Sequence, residues 1–160
     1  MLRAMSVAVV LQEVPDEISV AVNISGCIHR CEGCHSKYLW HDAGIPVKEH
    51  LAAWIAPYRN YITCVCFMGG DQDQEELTEI CKSVHMSGLK TCLYTGFDSM
   101  SDLIKPLKDD LDYIKIGRYI QEKGPLNDPK TNQRFYKKVS GVSWIDITDR
   151  FWKKYAEEEA

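Results

Sequence analysis

Apolar residues along this chain fall into short alternating or continuous runs, separated by longer stretches with helical spacing. The segment Ile18 to Ile24, "ISVAVNI", is rich in β-branched residues and stops at "SG", which predicts a strand. The patch before it, within "MLRAMSVAVVLQEVPDE", reads as a first strand or a terminal extension. "VKEHLAAWIAPY" places Leu51, Trp54 and Ile55 at helical spacing, with Pro57 near the end. "YITCVCFM" has the length and apolarity of a buried strand and runs into the breaker pair Gly69-Gly70. "DQDQEELTEICKSVHMSG" has acids in its first turn, apolar Leu77, Ile80, Cys81 and Val84, and Gly88 as a stop, so it predicts a helix. "LKTCLYT" predicts a strand, "FDSMSDLIKPL" a short helix and "LDYIKIG" another strand. The polar, turn-rich block from Arg118 to Ser140 reads as an ordered excursion. A last strand, "VSWIDIT", follows it, and the acidic tail "AEEEA" reads as a frayed, solvated end.

The order β-α-β-α-β-α-β predicts right-handed parallel crossovers. The expected fold is α/β, a partial open (β/α) barrel of about five or six parallel strands, because 160 residues fall short of the roughly 250 of a closed eight-fold barrel. One domain, 1–160, is expected: a core over about 18–117, the excursion 118–140, and a strand and tail over 141–160. Parallel α/β folds bind ligands at the C-terminal ends of their strands. Four strands would end at the cysteine loop, at "GGD", at "TG" and at "GR", which puts all four on one rim.

Composition narrows the function classes. A hydrophobic fraction of 45% with 26% charged residues is that of an ordinary globular chain. A net charge of −4 supplies no pull toward nucleic acid or anionic membrane. No apolar run reaches the roughly 20 residues of a membrane span, and the N-terminal patch lacks a small-residue cleavage site, so a cytoplasmic protein is expected. Of seven cysteines, three fall within the eight residues 27–34. An odd count clustered this way argues for metal ligation in a reducing compartment rather than a disulfide framework.

Cys27, Cys31 and Cys34 form a C-x3-C-x2-C pattern with no fourth cysteine close behind. Thiolates are the usual ligands of iron–sulfur clusters. Three of them on a cubane leave one iron open, as an unfilled position marks the substrate site of a catalytic metal. A ligand with adjacent amine and carboxylate groups, such as the amino-acid end of S-adenosylmethionine, can chelate that iron. Two other readings remain open at this point: zinc completed by His29, His35 or His41, and a closed cluster with a distant ligand such as Cys64 or Cys92. Asp71 can face a ligand or act as a helix N-cap. Cys64 and Cys66 share one face of a strand and, with Cys81 and Cys92, read as small buried apolar residues. Trp40, Trp54, Phe67 and Phe151 read as core.

The cysteine loop after a first strand, with the Gly-Gly-acid turn after the second, resembles the radical S-adenosylmethionine superfamily. Within it, "SGCIHRCEGCHSKYLW", "FMGGD", "LYTGF" and "YIKIGRYIQEKGPLNDPKTNQRFYKK" resemble the activating enzymes of anaerobic ribonucleoside-triphosphate reductases, from about Val22 to Lys138. The resemblance implies that Cys27, Cys31 and Cys34 ligate a 4Fe-4S cluster. It implies that Gly69, Gly70 and Asp71 meet the methionine amino group, that Thr95 and Lys115 serve the carboxylate, ribose or adenine, and that His35 helps seat the adenosyl group. The implied reaction is reductive cleavage of S-adenosylmethionine, with a flavodoxin or a thioredoxin-linked reductant as electron donor. The product is a glycyl radical on the reductase, for which the block Arg118 to Lys138 is the candidate docking surface. An activase of the pyruvate formate-lyase type, a zinc scaffold and an electron-carrying ferredoxin are the competing expectations. The chain departs from the superfamily pattern in having "EVPDE" where a "DGPG"-like turn is common, and Gly33 where an aromatic residue often precedes the third cysteine.

Overall fold

The computed structural model describes residues 1–34, 36–141 and 143–152. His35, the first residue of "VSWIDIT" and the acidic tail lie outside the described residues. Eight strands form one sheet: β1 (Arg3–Val10), β2 (Ser19–Ile24), β3 (Ile45–Pro46), β4 (Cys64–Met68), β5 (Lys90–Tyr94), β6 (Tyr113–Ile116), β7 (Arg134–Ser140) and β8 (Ser143–Asp146), in the spatial order β3-β1-β2-β4-β5-β6-β7-β8. Three helices connect the middle: α1 (Val47–Ile55), α2 (Gln74–Met86) and α3 (Lys105–Asp109). Asp73, not Asp71, caps α2, its side chain accepting from the Glu76 amide at 3.1 Å. Asp71 is thereby left to another task.

The sheet is open and mixed, and in this it differs from the expected run of five or six parallel strands. Only β2, β4, β5 and β6 are parallel neighbours; β1 and β7 pair antiparallel with β2 and β6 on either side. A parallel crossover needs a dozen or more residues, usually with a helix. Leu11 to Ile18 is too short a link for one, so β1 and β2 form a hairpin. Between β6 and β7 the only helix among the described residues is a single turn at Gln121–Lys123, so the chain returns as β7 beside the strand it left. The end of the supposed excursion, Arg134–Ser140, is therefore part of the sheet. It contains Phe135, which is fully buried.

Strand alternation divides the interior into two layers. Val22, Val65, Phe67, Leu93 and Ile114 face the helices, where Leu51, Leu77, Ile80 and Leu107 cover them. Cys64, Cys66, Cys92 and Tyr113 face the other side, beneath Val14, Phe135 and Phe151. In register terms, Cys66, Cys92 and Tyr113 make one cross-strand row, and Met68, Tyr94 and Lys115 make the next row toward the C-terminal ends. Burial pushes the thiols of Cys64, Cys81 and Cys92 far up from their ordinary range, consistent with small apolar residues in a core. Among the described residues no helix is long and apolar enough to cross a membrane.

Candidate metal centre

The loop after β2 is built from three tight reversals, one before each cysteine. Gly26, Arg30 and Gly33 have φ of 80°, 46° and 76°, immediately ahead of Cys27, Cys31 and Cys34. Each left-handed residue redirects the chain, so that three thiols seven residues apart at most come to line one cavity. Arg30 adopts this conformation against the usual cost of about 1–2 kcal/mol for a residue with a Cβ. A side chain at Gly33 would be strained by its φ, and its Cβ would crowd Gln121 Oε1 at 3.1 Å and the Tyr119 ring at 3.3 Å. The absence of an aromatic residue at this position is thus explained by the "GRYIQ" segment packing on the loop. The Cys27 amide donates to Leu39 O at 3.0 Å, the Cys34 amide to Cys31 O at 3.1 Å, and the Ser36 amide to Cys34 Sγ at 3.3 Å. The last of these directs an N–H at the sulfur.

The cavity, of about 190 Å³, opens on the rim that carries the C-terminal ends of β2, β4, β5 and β6. Its floor is the row Met68, Tyr94 and Lys115, and its walls include Gly69, Asp71, Thr95 and Gly96. The rim expected from the order of the motifs is therefore present, and one cavity unites the three cysteines with Gly69, Asp71, Thr95 and Lys115. Gly70 is buried behind it: a Cβ there would press on Ile24 Cδ1 at 3.1 Å and Leu77 Cδ2 at 3.3 Å. Cys64, Cys66 and Cys92 lie beneath the floor, away from the opening.

Polar contacts fix the walls. Asp71 is buried, and its Oδ2 accepts from Thr95 Oγ1 and lies 2.6 Å from His29 Nε2. Both of these contacts engage Oδ2 rather than Oδ1. Arg118 grips Asp98 through its backbone amide and guanidinium, at 3.1 and 2.7 Å, tying the loop after β5 to the one after β6. Lys115 Nζ donates to Gly117 O at 2.9 Å and lies 5.7 Å from the centre of the Tyr94 ring. Burial pulls the Lys115 ammonium down to about 8, against the opposing pull of Cys31 and Asp71. The unfolded chain keeps this proton to about pH 10.5, whereas the folded chain releases it from about pH 8. At this one group the unfolded state thus binds more protons between those values, so the contribution of Lys115 to stability rises with pH across that window, while the protons that buried Cys64, Cys81 and Cys92 retain work the other way above about pH 9. Urea titrations of the parent and of Lys115→Met, compared at each pH from 7.5 to 10.5, isolate it: the parent should gain stability relative to the variant as pH rises.

Several residues at the cavity were not singled out for it by sequence. His29 was visible only as a possible zinc ligand, and Trp40 only as core. The Trp40 indole lines the cavity, and its buried Nε1 has no hydrogen-bond partner among the described residues. An orphaned donor beside three half-buried free thiols calls for an acceptor such as a cluster sulfide or a cofactor carboxylate. Gln133, from "TNQRF", also reaches the cavity, because Gly117 lets that segment approach the end of β6: a Cβ on Gly117 would sit 3.0 Å from Gln133 Cα. Only close tertiary packing reveals that contact. Among the described residues, no three His, Cys, Asp or Glu side chains are gathered tightly enough to hold a single metal ion. The thiols are spread around the cavity, an arrangement that a multi-iron cluster, with its irons at separate corners, can span.

Comparison with curated proteins gave no match, and neither did comparison with solved structures. Residues 18–136 match the family model described as a 4Fe-4S single cluster domain, a domain that occurs in radical S-adenosylmethionine-type enzymes. That match begins just before β2, includes the whole cysteine loop, and ends within β7. The chain belongs to the family of 4Fe-4S single cluster domains.

Proposed function

We propose that this protein is a radical S-adenosylmethionine activase in which Cys27, Cys31 and Cys34 hold the cluster by three irons and the cofactor occupies the fourth. The observation that carries this reading is the shared cavity, where the three thiols meet Asp71, Thr95 and Lys115 from three different strand ends. Held by these three cysteines, a 4Fe-4S cluster would supply the electron for reductive cleavage of the cofactor's sulfonium C–S bond, the chemistry needed to place a radical on a glycine of the partner.

The chain's own residues bind and orient. Asp71 Oδ1 offers an acceptor to the cofactor's ammonium group, while Oδ2 stays anchored by Thr95 and His29. Lys115 keeps two N–H donors beyond its bond to Gly117 O, and these suit a carboxylate or ribose oxygen. The Ser36 amide directs its N–H at the Cys34 sulfur. Met68 and Tyr94 close the floor with apolar surface, which keeps water from below.

The partner proposed is the glycyl radical subunit of an anaerobic ribonucleoside-triphosphate reductase, with electrons from a flavodoxin or a thioredoxin-linked donor in the cytoplasm. The late "GRY…GPLNDP…TNQRF" block supports that choice of partner, because it is, with the cysteine loop, one of the two most specific parts of the resemblance. Reconstituted protein, dithionite and S-adenosylmethionine should raise a glycyl EPR doublet on such a reductase. A doublet on a pyruvate formate-lyase-type enzyme instead would reassign the partner, and no doublet on either would contradict the activase reading.

A further inference from the structure

The cysteine loop and the acidic turn after β4 come from distant parts of the sequence, and one side chain joins them. His29 sits midway between Cys27 and Cys31, and its Nε2 lies 2.6 Å from Asp71 Oδ2. The imidazole is mostly enclosed, with 14% of its side chain exposed against 2% for Asp71. Phe97 meets its face edge-on, with ring centres 4.6 Å apart. On another side is Gly96, where a Cβ would lie 2.6 Å from the imidazole Cδ2 and Cγ and 3.0 Å from its Cβ. The backbone of Gly96 is thus the seat of this ring. The Phe97 amide in turn donates to Thr95 Oγ1, and Thr95 Oγ1 donates to the oxygen that His29 contacts. The turn after β5 therefore braces both ends of the His29–Asp71 contact.

We propose that His29 is a positioning residue that locks the cysteine loop to Asp71, so that the cluster-bearing thiols and the carboxylate for the cofactor's ammonium hold a fixed separation. A ligand chelated to one iron must meet iron and carboxylate together, and an error of about 1 Å in such a pair costs up to about a hundredfold. His29 Nε2–H donates to Asp71 Oδ2, which leaves the other carboxylate oxygen for the incoming cofactor. Among the described residues, the loop's other side-chain tie to the turn after β4 is Gln72 Nε2 to Ser25 O, at 2.7 Å, ahead of the first cysteine. The part of this inference that concerns cofactor affinity rests on the function proposed above; the locking of the loop does not.

The test compares the parent with His29→Ala, His29→Gln and Gly96→Ala. Glutamine places an amide N–H close to the position of Nε2, and Gly96→Ala displaces the ring without touching it chemically. Hydrogen exchange at the Cys27 and Cys34 amides, followed in the metal-free chain, reports the lock directly. Exchange there should quicken about tenfold in His29→Ala and Gly96→Ala, equivalent to about 1.4 kcal/mol, and stay within about twofold of the parent in His29→Gln. In the cluster-loaded proteins, iron content should match the parent in all three. The dissociation constant for S-adenosylmethionine should weaken about tenfold in the first two and recover in the glutamine variant. Unchanged exchange in His29→Ala, or a loss that glutamine does not restore, would overturn the proposal. If the loaded parent binds no S-adenosylmethionine, the proposed function fails, and the exchange measurements still decide whether His29 locks the loop.

Discussion

Cys31→Ala is expected to abolish cluster assembly: iron after anaerobic reconstitution should fall from about four per chain to below about one. The absorption near 400 nm that arises from thiolate-to-iron charge transfer should fall with it. The control is Cys81→Ala. Cys81 is fully buried in α2 among Leu77, Ile80 and Val84, on the helix side of the sheet and away from the cavity. Its truncation should lower thermal stability and leave iron content unchanged. The opposite pattern, with iron retained in Cys31→Ala and lost in Cys81→Ala, would place the cluster elsewhere. The contrast is sharp because the two thiols differ in kind: one is half-exposed on a loop of left-handed turns, the other is sealed by apolar side chains with its thiol pushed far up by burial.

Phe135→Ala should destabilise the fold by about 3–5 kcal/mol, the usual cost of removing a buried aromatic side chain. For a chain of this size that lowers the thermal midpoint by at least about 6 °C. Phe135 lies within the block whose polar composition suggests a surface excursion, yet its ring centre is 5.9 Å from that of Tyr94, 6.0 Å from that of Tyr113 and 5.1 Å from that of Phe151. It stands in register with Lys115 on the neighbouring strand, so it walls the interior directly beside the cavity floor. Arg134→Ala, one residue earlier, should change the midpoint little, because that side chain is 40% exposed and its ion pair with Asp146 is a surface one. Calorimetry of both variants separates a sheet strand from a docking loop.

The parts of this fold that depend on local periodicity were legible in the sequence. β2, β4, β5 and β6 and helices α1 and α2 appear where the apolar runs and capping residues put them, and the rim follows from their order. The sheet's edges were not legible. Whether a strand after "YIKIG" continues a parallel series or turns back depends on the length and helical content of the connection, and the "RYIQEKGPLNDPKTNQ" segment hides its strand, Arg134–Ser140, behind turn residues. The amphipathic sequence "RFYKKVS" buries Phe135 on one face while leaving charged residues on the other, a pattern easily taken for a basic surface. At the candidate site, the chemistry-bearing cysteines declared themselves by spacing. His29 and Trp40 did not, because a lone imidazole or indole acquires its role only from what packs against it: Asp71 and Phe97 in one case, an unpartnered donor at a cavity wall in the other. Asp71 itself was ambiguous between cap and ligand contact, and Asp73, two residues later, is the cap, which removes the first of those tasks.

The most direct measurement is the formation of 5′-deoxyadenosine by the anaerobically reconstituted, dithionite-reduced protein after addition of S-adenosylmethionine. The account predicts 5′-deoxyadenosine and methionine in equal amounts from the parent and neither from Cys31→Ala. A parent that binds zinc with no absorption near 400 nm, or product formed equally by both proteins, would contradict it.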